Sequence, residues 1–550
     1  MMLPRCGVLL ACLLVVVACD YTGPKSPRNG GTLNVAIGAD PATLNRFLAA
    51  DSASLRASAP LFPNLYQANP DLSVSPDLAE SMPVLSSDRK QWTVRLRRNA
   101  RWSDGRAIVA DDVISTVAIQ RNPALVTDVV FDWTMLEKVE KVDDRTVRFT
   151  LTQPYAPFLA NSLTTFVAPA HIYGALDVAR MAGDPISRQP VVTGGPFKYE
   201  KRSKNQVDLS ANVDYYAGRP HLDRIVLKIV PDPGTAASAV ANGDLNWEPD
   251  LGSAALLKLQ DAPGATVRKY PDLSFYDVRF NDRPDHLFGD RLVRQAFAHA
   301  IDKAAVVKKA SGGNGFPMWG DVAPQSWAYE PGAAKRYRVD LVAARQLMQQ
   351  AGWQVGADGI AAKAGKRFSA KFYVRSDAPS RVTAVGLIST QARAIGMELL
   401  PTPVTYYNPA DKTSFFDPLK KGDYDIAFTG FASGLDPDQF RIFHSSQLRP
   451  EQGAAGFNWT GYSNPALDKL IEQERTTVLA SDAQTRAARR KIFSLIEKLL
   501  SEDVVTYFMW AENNGQAFSP DVGGIGGQSL LHVDNGRNVR ALAGWYLDKP

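Results

Sequence analysis

The architecture of this chain follows from a segment that reads Trp92-Thr93-Val94-Arg95-Leu96-Arg97, then Trp102-Ser103-Asp104-Gly105, then Ala110-Asp111-Asp112-Val113. The first piece is strand-like, because apolar and polar residues alternate along it. The second piece predicts a tight turn in which Gly105 is free to adopt a positive φ. The third opens a helix over residues 110–120, where carboxylates complement the helix dipole. A strand, a turn and a helix in this order indicate an α/β protein.

Strand-like and helix-like segments keep alternating along the rest of the chain, which predicts an α/β fold throughout. Further strands are predicted at residues 32–37, 146–152, 224–230, 274–280, 369–374, 424–429 and 504–510. Two amphipathic helices are predicted at 291–310, capped by Asp290, and at 482–500, capped by Ser481. The residues of the second helix that should face a core are Ile492, Leu495, Ile496 and Leu499. A chain of 550 residues is too long for a single hydrophobic core, so several domains or lobes are expected.

The N-terminus carries the pattern of a bacterial lipoprotein signal. All three cysteines lie within the first nineteen positions, and a short apolar stretch behind Arg5 ends in Val16-Val17-Ala18-Cys19. We expect residues 1–18 to be a signal peptide, Cys19 to carry lipid, and residues 19–30 to form a flexible tether. The alternative is a transmembrane anchor with a chance cysteine, although a span needs about twenty apolar residues. A body without cysteine excludes structural disulfides and makes thiolate chemistry very improbable.

Composition and motifs argue against nucleic-acid binding and against catalysis. The net charge is only +5 over 550 residues, and no basic block forms a nucleic-acid footprint. The six histidines are scattered, with no pair at metal-ligand spacing. Ser87-Asp88-Arg89-Lys90 matches a Ser-x-x-Lys nucleophile motif, but it precedes the strand at 92–97 and is expected to be a turn. We therefore expect no catalytic residue, no metal site and no cofactor.

A series of short motifs continues the pattern that begins with Leu78-Ala79-Glu80-Ser81 and the opening segment at 92–113. They are Thr193-Gly194-Gly195-Pro196-Phe197, Asp214-Tyr215-Tyr216-Ala217-Gly218-Arg219-Pro220, Asn242-Gly243-Asp244-Leu245, Phe280-Asn281, Val293-Arg294-Gln295-Ala296, Ala300-Ile301-Asp302-Lys303, Ala351-Gly352-Trp353 and Tyr462-Ser463-Asn464-Pro465. In order and spacing the series resembles the peptide/nickel-binding class of ABC-transporter solute-binding proteins, bacterial solute-binding protein family 5. The resemblance covers nearly all of the chain beyond the signal peptide.

The resemblance implies a two-lobed, periplasmic-binding-protein-like (type II) α/β fold with an extra subdomain in the first lobe. On this chain, residues 31–270 would form lobe I with the subdomain and 271–510 would form lobe II. Residues 511–550 would return to lobe I. The chain is expected to cross between the lobes near residues 274–280 and 508–514.

The implied function is capture of a small solute outside the cytoplasm and its delivery to an ABC importer. The expected partners are the solute (a peptide, a modified peptide or an oligosaccharide), the ABC permease with its ATPase, and the membrane through the lipid anchor. The protein is expected to be a monomer. Two other functions stay open: an extracytoplasmic hydrolase, for which the sequence displays no nucleophile and base, and a sensory receptor that presents ligand without transport.

The cleft between the lobes is expected to be lined by segments 316–329, 373–381 and 428–440. Their ligand-binding candidates are Trp319, Trp327, Tyr373, Arg375, Phe431, Ser433, Gly434 and Asp436. The aromatic side chains are suited to stack on sugar rings or on peptide side chains, or else two or three of them are ordinary core. Arg375 and Arg381 are suited to pair with a ligand carboxylate.

The resemblance also implies a difference at the amino end of the ligand. In peptide-binding relatives, a carboxylate a few residues before a segment similar to Asp436-Pro437-Asp438-Gln439-Phe440 holds the terminal ammonium. The matching position here is Ser433, whose hydroxyl has no charge, and a desolvated ammonium without a partner is costly. We therefore expect a ligand without a free ammonium at that end, such as a blocked or cyclic peptide or an oligosaccharide, unless Asp436 takes over.

Overall fold

The structure is a computed structural model that describes residues 27–127, 129, 132–252, 255, 256, 259, 262–410, 412–448, 456–525 and 539–548. The predicted signal peptide at 1–18, the predicted lipidation site Cys19 and most of the tether at 19–30 lie outside the described residues. Within the described parts of the chain, no helix combines the length and the apolar character needed to cross a membrane.

The described residues form 25 strands, and eight of these overlap the eight segments where the sequence predicts a strand. The 25 strands are β1 (Thr32–Ile37), β2 (Tyr66–Ala68), β3 (Val74–Pro76), β4 (Val84–Leu85), β5 (Gln91–Arg95), β6 (Leu136–Asp143), β7 (Thr146–Leu151), β8 (Phe197–Arg202), β9 (Gln206–Ala211), β10 (Arg224–Ile229), β11 (Trp247–Leu251), β12 (Thr266–Pro271), β13 (Phe275–Phe280), β14 (Gly315–Pro317), β15 (Gln354–Val355), β16 (Ala361–Lys363), β17 (Lys366–Arg367), β18 (Ser369–Arg375), β19 (Glu398–Val404), β20 (Tyr407–Asn408), β21 (Thr413–Ser414), β22 (Ile426–Phe431), β23 (Thr506–Phe518), β24 (Val522–Gly523) and β25 (Tyr546–Leu547).

The helices of the described residues alternate with these strands and confirm the α/β class. They are α1 (Ser52–Ser58), α2 (Ala110–Gln120), α3 (Ala170–Tyr173), α4 (Pro233–Ala241), α5 (Arg291–Ala300), α6 (Lys303–Ala310), α7 (Leu341–Gln350), α8 (Pro379–Ala392), α9 (Asp417–Lys421), α10 (Phe440–Phe443), α11 (Pro465–Thr476) and α12 (Asp482–Asp503).

One large mixed sheet runs through the molecule in the order β19-β18-β22-β13-β23-β11-β1-β10-β9-β8, and β12 and β14 each pair with β23. β23 is 13 residues long. Its first part pairs with β13, and its last part pairs with β11 and β12. The sheet therefore consists of two halves that share one strand. We call the half that contains β1 and β8–β12 the first lobe, and the half that contains β13, β18, β19 and β22 the second lobe. The exact limits at 271 and 510 stay a prediction.

A separate antiparallel sheet in the order β4-β5-β7-β6 lies within the part of the chain that forms the first lobe. Its inner face buries Trp92, Val94 and Phe149, and α2 packs near it. The motif at residues 92–113 therefore builds this subdomain. The two-lobed type II fold expected from the sequence is confirmed.

The helix predicted at 291–310 is in fact two helices, so that prediction was wrong. Ile301 has an extended backbone, with φ −96° and ψ 118°. Asp302 then starts α6, because its side chain accepts the N–H of Ala305. The buried stripe continues through Ala300 and Ile301, which is why the apolar pattern concealed the break.

The second predicted helix is present as α12, and Ser481 caps it by accepting the N–H of Gln484. Ile492 and Ile496 are buried as expected, whereas Leu495 is 53% exposed and does not face the core. The buried stripe uses Phe493 instead.

Candidate ligand-binding site

The parallel strands of both lobes point their carboxyl ends at the same gap. In the second lobe, β18 runs parallel to β19 and β22, and β22 is antiparallel to β13, which is itself antiparallel to β23. In the first lobe, β1 runs parallel to β10 and β11, and β11 is antiparallel to β23. Since β23 runs from the second lobe into the first, the two sets of carboxyl ends face each other. Ligands of α/β sheets bind outside such ends, so the gap is the candidate site.

The chain crosses the gap in two adjacent segments, 272–274 and 511–515. The N–H of Asp272 donates to the carbonyl of Glu512 at 2.9 Å, which ties the two segments together. The side-chain amide of Asn314 donates to the backbone carbonyl of Asn513 at 2.8 Å, and the side-chain amide of Asn513 donates to the backbone carbonyl of Asn314 at 3.0 Å. The floor of the gap is therefore a paired backbone rather than a loose linker.

Tyr276 stands at the second-lobe edge of the gap, opposite Gly430 in the pairing of β13 with β22. A Cβ on residue 430 would lie 2.7 Å from Cδ1 of Tyr276, so the glycine makes room for the ring. The guanidinium carbon of Arg381 lies 4.4 Å from the ring centroid. Burial raises the pKa of Tyr276. Sequence reasoning missed this ring, and the signal that could have found it was a glycine inside a strand, which marks a close approach.

Arg375 ends β18 at the same edge, with its charge already balanced. Its Nε and Nη2 donate to the two oxygens of Asp377 at 2.9 and 2.6 Å. Its guanidinium carbon lies 4.2 Å from the ring centroid of Tyr406. The hydrogen bonds with Asp377 raise the pKa of Arg375 and lower that of Asp377. Tyr373 is half-buried and packs against the cluster that contains Phe415, so it contributes to the core of the second lobe.

Phe431 ends β22, and the loop that follows carries Ser433 and Gly434 along the gap. The ring of Phe431 lies 6.2 Å from that of Phe275 and 5.8 Å from that of Phe457. Ser433 is partly exposed. A Cβ on residue 434 would lie 3.7 Å from Oδ1 of Asn161, which belongs to the first lobe. This loop therefore reaches across the gap.

Asp436 is buried inside the second lobe and is held by an arginine. Nη1 and Nη2 of Arg489 donate to its two oxygens at 2.5 and 2.7 Å. Nη2 of Arg489 also donates to Oε2 of Glu474 at 2.5 Å. Burial raises the pKa of Glu474 well above its ordinary value, although Arg489 opposes the change. Asp436 therefore serves the packing of this lobe, and the ammonium-binding role that the sequence left open for it would require the ion pair to break.

The two tryptophans predicted for the cleft pack within the second lobe. The indole N–H of Trp327 donates to the carbonyl of Leu435 at 3.1 Å, and its ring lies 5.7 Å from that of Phe493. The ring centroid of Trp319 lies 3.9 Å from Nζ of the buried Lys303. The structure thus gathers Arg375, Phe431, Ser433 and Gly434 at the gap and places Trp319, Trp327 and Asp436 in packing roles. Ligand contact by any of them stays a prediction.

These observations define a class: a two-lobed α/β protein with a gap between its lobes that is suited to hold a ligand. The chain belongs to the bacterial extracellular solute-binding proteins, family 5, whose "family 5 Middle" model matches residues 73–449. Members of this family bind solutes for ABC importers outside the cytoplasm and are not enzymes. The predicted family, the solute-binding role and the absence of catalysis are therefore confirmed, and the hydrolase alternative is rejected.

The similarity to individual relatives extends over almost the whole chain. The oligopeptide-binding protein AppA of Bacillus subtilis (strain 168) is 27% identical over 94% of each chain. The probable D,D-dipeptide-binding periplasmic protein DdpA of Escherichia coli (strain K12) is 26% identical over 93% of this chain and 95% of DdpA. The structure of B. subtilis AppA in complex with a nonapeptide matches with a TM-score of 0.73 at 26% identity, covering 95% of this chain and 100% of that one. NikZ of Campylobacter jejuni in complex with Ni(L-His) shares the fold, with a TM-score of 0.74 at 24% identity over 94% and 99% of the two chains.

Proposed function

We propose that the chain captures a peptide-like or oligosaccharide solute that has no free ammonium group at the end near Ser433, and delivers it to an ABC importer. The peptide ligands named for AppA and DdpA support the peptide-like class. The observation that carries the proposal is the ion pair of Asp436 with Arg489, because it occupies the carboxylate nearest to Ser433 along the chain.

Two further acids near the gap are also paired with arginine. Asp438 in the same loop binds Arg475 at 3.1 Å. On the first-lobe side, Asp250 at the end of β11 forms two hydrogen bonds with Arg56, at 2.7 and 2.8 Å. An ammonium group entering the gap would compete with these guanidinium groups, which costs more than binding to a free carboxylate.

Glu512 is the carboxylate that could take over the anchoring of an ammonium. It lies on the crossing segment, and its Oε1 accepts the indole N–H of Trp510 at 3.1 Å. The indole is a neutral donor, so it does not balance the negative charge of Glu512. Burial is the main cause of the raised pKa of Tyr276, and the charge of Glu512 is the second. Any test of ligand charge therefore has to include this residue.

Isothermal titration calorimetry with free peptides and their N-acetylated counterparts tests the proposal. We expect the wild type to prefer the acetylated or cyclic forms. Ser433→Asp should strengthen binding of the free forms about ten- to hundredfold, because a charge-assisted hydrogen bond contributes about 1.5–3 kcal/mol. Ser433→Asn is the matched neutral control and should leave the preference unchanged.

Tight binding of free peptides by the wild type would contradict the proposal. If Glu512→Gln then abolished that binding, the anchor would have moved to the crossing strand. If Asp436→Asn abolished it while the protein stayed folded, the ion pair with Arg489 would have to open for the ligand.

We also propose that Cys19 carries a lipid that holds the protein at the membrane. The support is the sequence pattern that ends at Cys19. Cys19→Ser should leave the body folded but move it out of the membrane fraction, as followed by fractionation and intact mass. A processed, unlipidated mutant that stays at the membrane would contradict this assignment. The monomeric state and transport rather than sensing stay predictions.

A further inference from the structure

Besides the crossing segments and the approach of Gly434 to Asn161, the two lobes touch at Tyr155. This residue follows β7 in the first lobe and precedes the π-helical turn Phe158–Ser162. It meets Arg475 near the end of α11 in the second lobe. The N–H of Ala156 donates to the carbonyl of Arg475 at 2.7 Å, so the contact includes a direct backbone hydrogen bond between the lobes.

The side chain of Arg475 lies between two aromatic rings, one from each lobe. Its guanidinium carbon is 4.9 Å from the ring centroid of Tyr155 and 4.1 Å from that of Phe440. Its Nε donates to Oδ2 of Asp438 at 3.1 Å. Tyr155 is 1% exposed and Arg475 is 7% exposed. Cation–π interactions are stronger when desolvated in this way than at an exposed site.

The hydroxyl of Tyr155 links an acid of each lobe. It donates to Oδ2 of Asp132 in the first lobe at 2.6 Å and lies 3.3 Å from Oδ2 of Asp438 in the second. Burial raises the pKa of both Tyr155 and Asp438, with Arg475 opposing the change at Asp438. Opening of the lobes would expose these groups to water and would break the contacts of Tyr155 with Asp438 and Arg475.

A second arginine supports the same contact from α12. Nη2 of Arg486 donates to the carbonyl of Leu72, between β2 and β3 of the first lobe, at 3.0 Å. Its Nε also forms an ion pair with Asp482, one turn earlier on the same helix, at 2.8 Å, and this pair holds the side chain in place. The two lobes are therefore joined at two places by arginine side chains of the second lobe.

We propose that Tyr155, Asp438 and Arg475 form a latch that holds the two lobes closed without help from a ligand. All members of the latch belong to the chain, so its strength does not depend on what occupies the gap. A protein with such a latch populates the closed state before it binds, and its ligand then selects a conformation that already exists. The latch does not depend on the proposed ligand class, so either proposal can fail without the other.

The distance between two spin labels, one on each lobe, measures closure directly. Val142 on β6 is 46% exposed and Leu495 on α12 is 53% exposed, so both positions accept a labelled cysteine. The background is the full chain with its three cysteines, Cys6, Cys12 and Cys19, replaced by serine. Refolding from urea after dialysis removes any copurified solute before double electron–electron resonance is recorded.

We expect the wild-type background to show mainly one short distance. Arg475→Met and Tyr155→Leu should each raise the population of a longer distance about tenfold, because either change removes the cation–π contact between the lobes. Tyr155→Phe keeps the ring and loses only the hydroxyl, so it should have a smaller effect in the same direction.

Two matched variants control for the loss of a buried hydroxyl and of an arginine. Tyr66→Phe removes a hydroxyl that donates to Ser81 within the first lobe. Arg345→Met removes a guanidinium that donates to Ala394 within the second lobe. Both should keep the wild-type distance. A wild type with mainly the longer distance, or a Tyr155→Leu variant with unchanged distances, would overturn the latch. If Arg475→Met does not fold, Tyr155→Leu decides alone, because it alters the other lobe.

Discussion

Arg489→Met should destabilise the second lobe strongly. The arginine is 1% exposed, and the side chains of its partners Asp436 and Glu474 are 5% and 0% exposed. Removing one partner of a buried ion pair costs about 3–5 kcal/mol, because the other charge stays buried. Two carboxylates lose their counterion here, so we expect a loss near the upper end, about 5 kcal/mol.

This loss in the free energy of unfolding corresponds to a large decrease of the melting temperature. Unfolding entropy is about 2.1 cal/mol/K per residue, so a second lobe of about 240 residues that unfolds as one unit should melt about 10 °C lower. Differential scanning calorimetry at pH 7.5 measures the change. Arg345→Met, on the same lobe but outside this ion-pair network, is the control and should shift the melting temperature by less than about 1 °C.

The pH dependence of the stability of Arg489→Met shows whether the loss comes from the buried charges or from the loss of packing. Burial already raises the pKa of Glu474 and Arg489 opposes this rise, so without Arg489 the native pKa of Glu474 should lie still further above its unfolded value. Stability of the variant should therefore fall as pH rises, and part of the loss should be recovered near pH 5. A further variant that also carries Asp436→Leu and Glu474→Met should recover most of it. A melting temperature equal to that of the control, or a loss that does not change with pH, would refute the reasoning.

Two further changes test buried groups elsewhere. Burial raises the pKa of Asp321 to about 6, so native stability should fall as pH rises from about 4 to about 6. Asp321→Asn keeps an acceptor for Gln439 and should stabilise the protein by about 3 kcal/mol above pH 7 and by almost nothing below pH 4; equal effects in urea melts at the two pH values would contradict this. Gly195→Ala places a Cβ 2.3 Å from the carbonyl oxygen of Pro60. It should cost about 2 kcal/mol or more, whereas Gly183→Ala, with no atom within 4 Å, should cost much less in the same assay.

Eight of the strands could be predicted from the sequence because each carries its own signal. Trp92, Val94 and Leu96 are buried and the residues between them are more exposed, and the structure has β5 at Gln91–Arg95. The break between α5 and α6 was missed because Ala300 and Ile301 extend the apolar stripe, although Asp302 is itself a good N-cap residue. Local pattern therefore fixes the type of element, while its ends depend on which local signal is stronger.

The roles of the candidate site residues could not be predicted in the same way. Asp436 and Arg489 are 53 positions apart, and nothing local indicates that they pair. Trp327 is a residue type that often lines clefts, but its N–H donates to Leu435 and its ring packs against Phe493, both within the second lobe. Whether such a side chain faces a ligand or a neighbouring helix is decided by tertiary contacts that no short segment encodes.

The hydrogen bond between Asp272 and Glu512 has a consequence for the history of the fold. Pro271 pairs with Asn513, so the chain leaves the first lobe and re-enters it at neighbouring positions of one antiparallel ladder. A tight turn in place of residues 273–511 would leave β12 and the end of β23 as an ordinary hairpin. In topology, the second lobe is therefore an insertion at one point of the first lobe. A single recombination event at that point would exchange the residues on the second-lobe side of the gap and keep those on the first-lobe side.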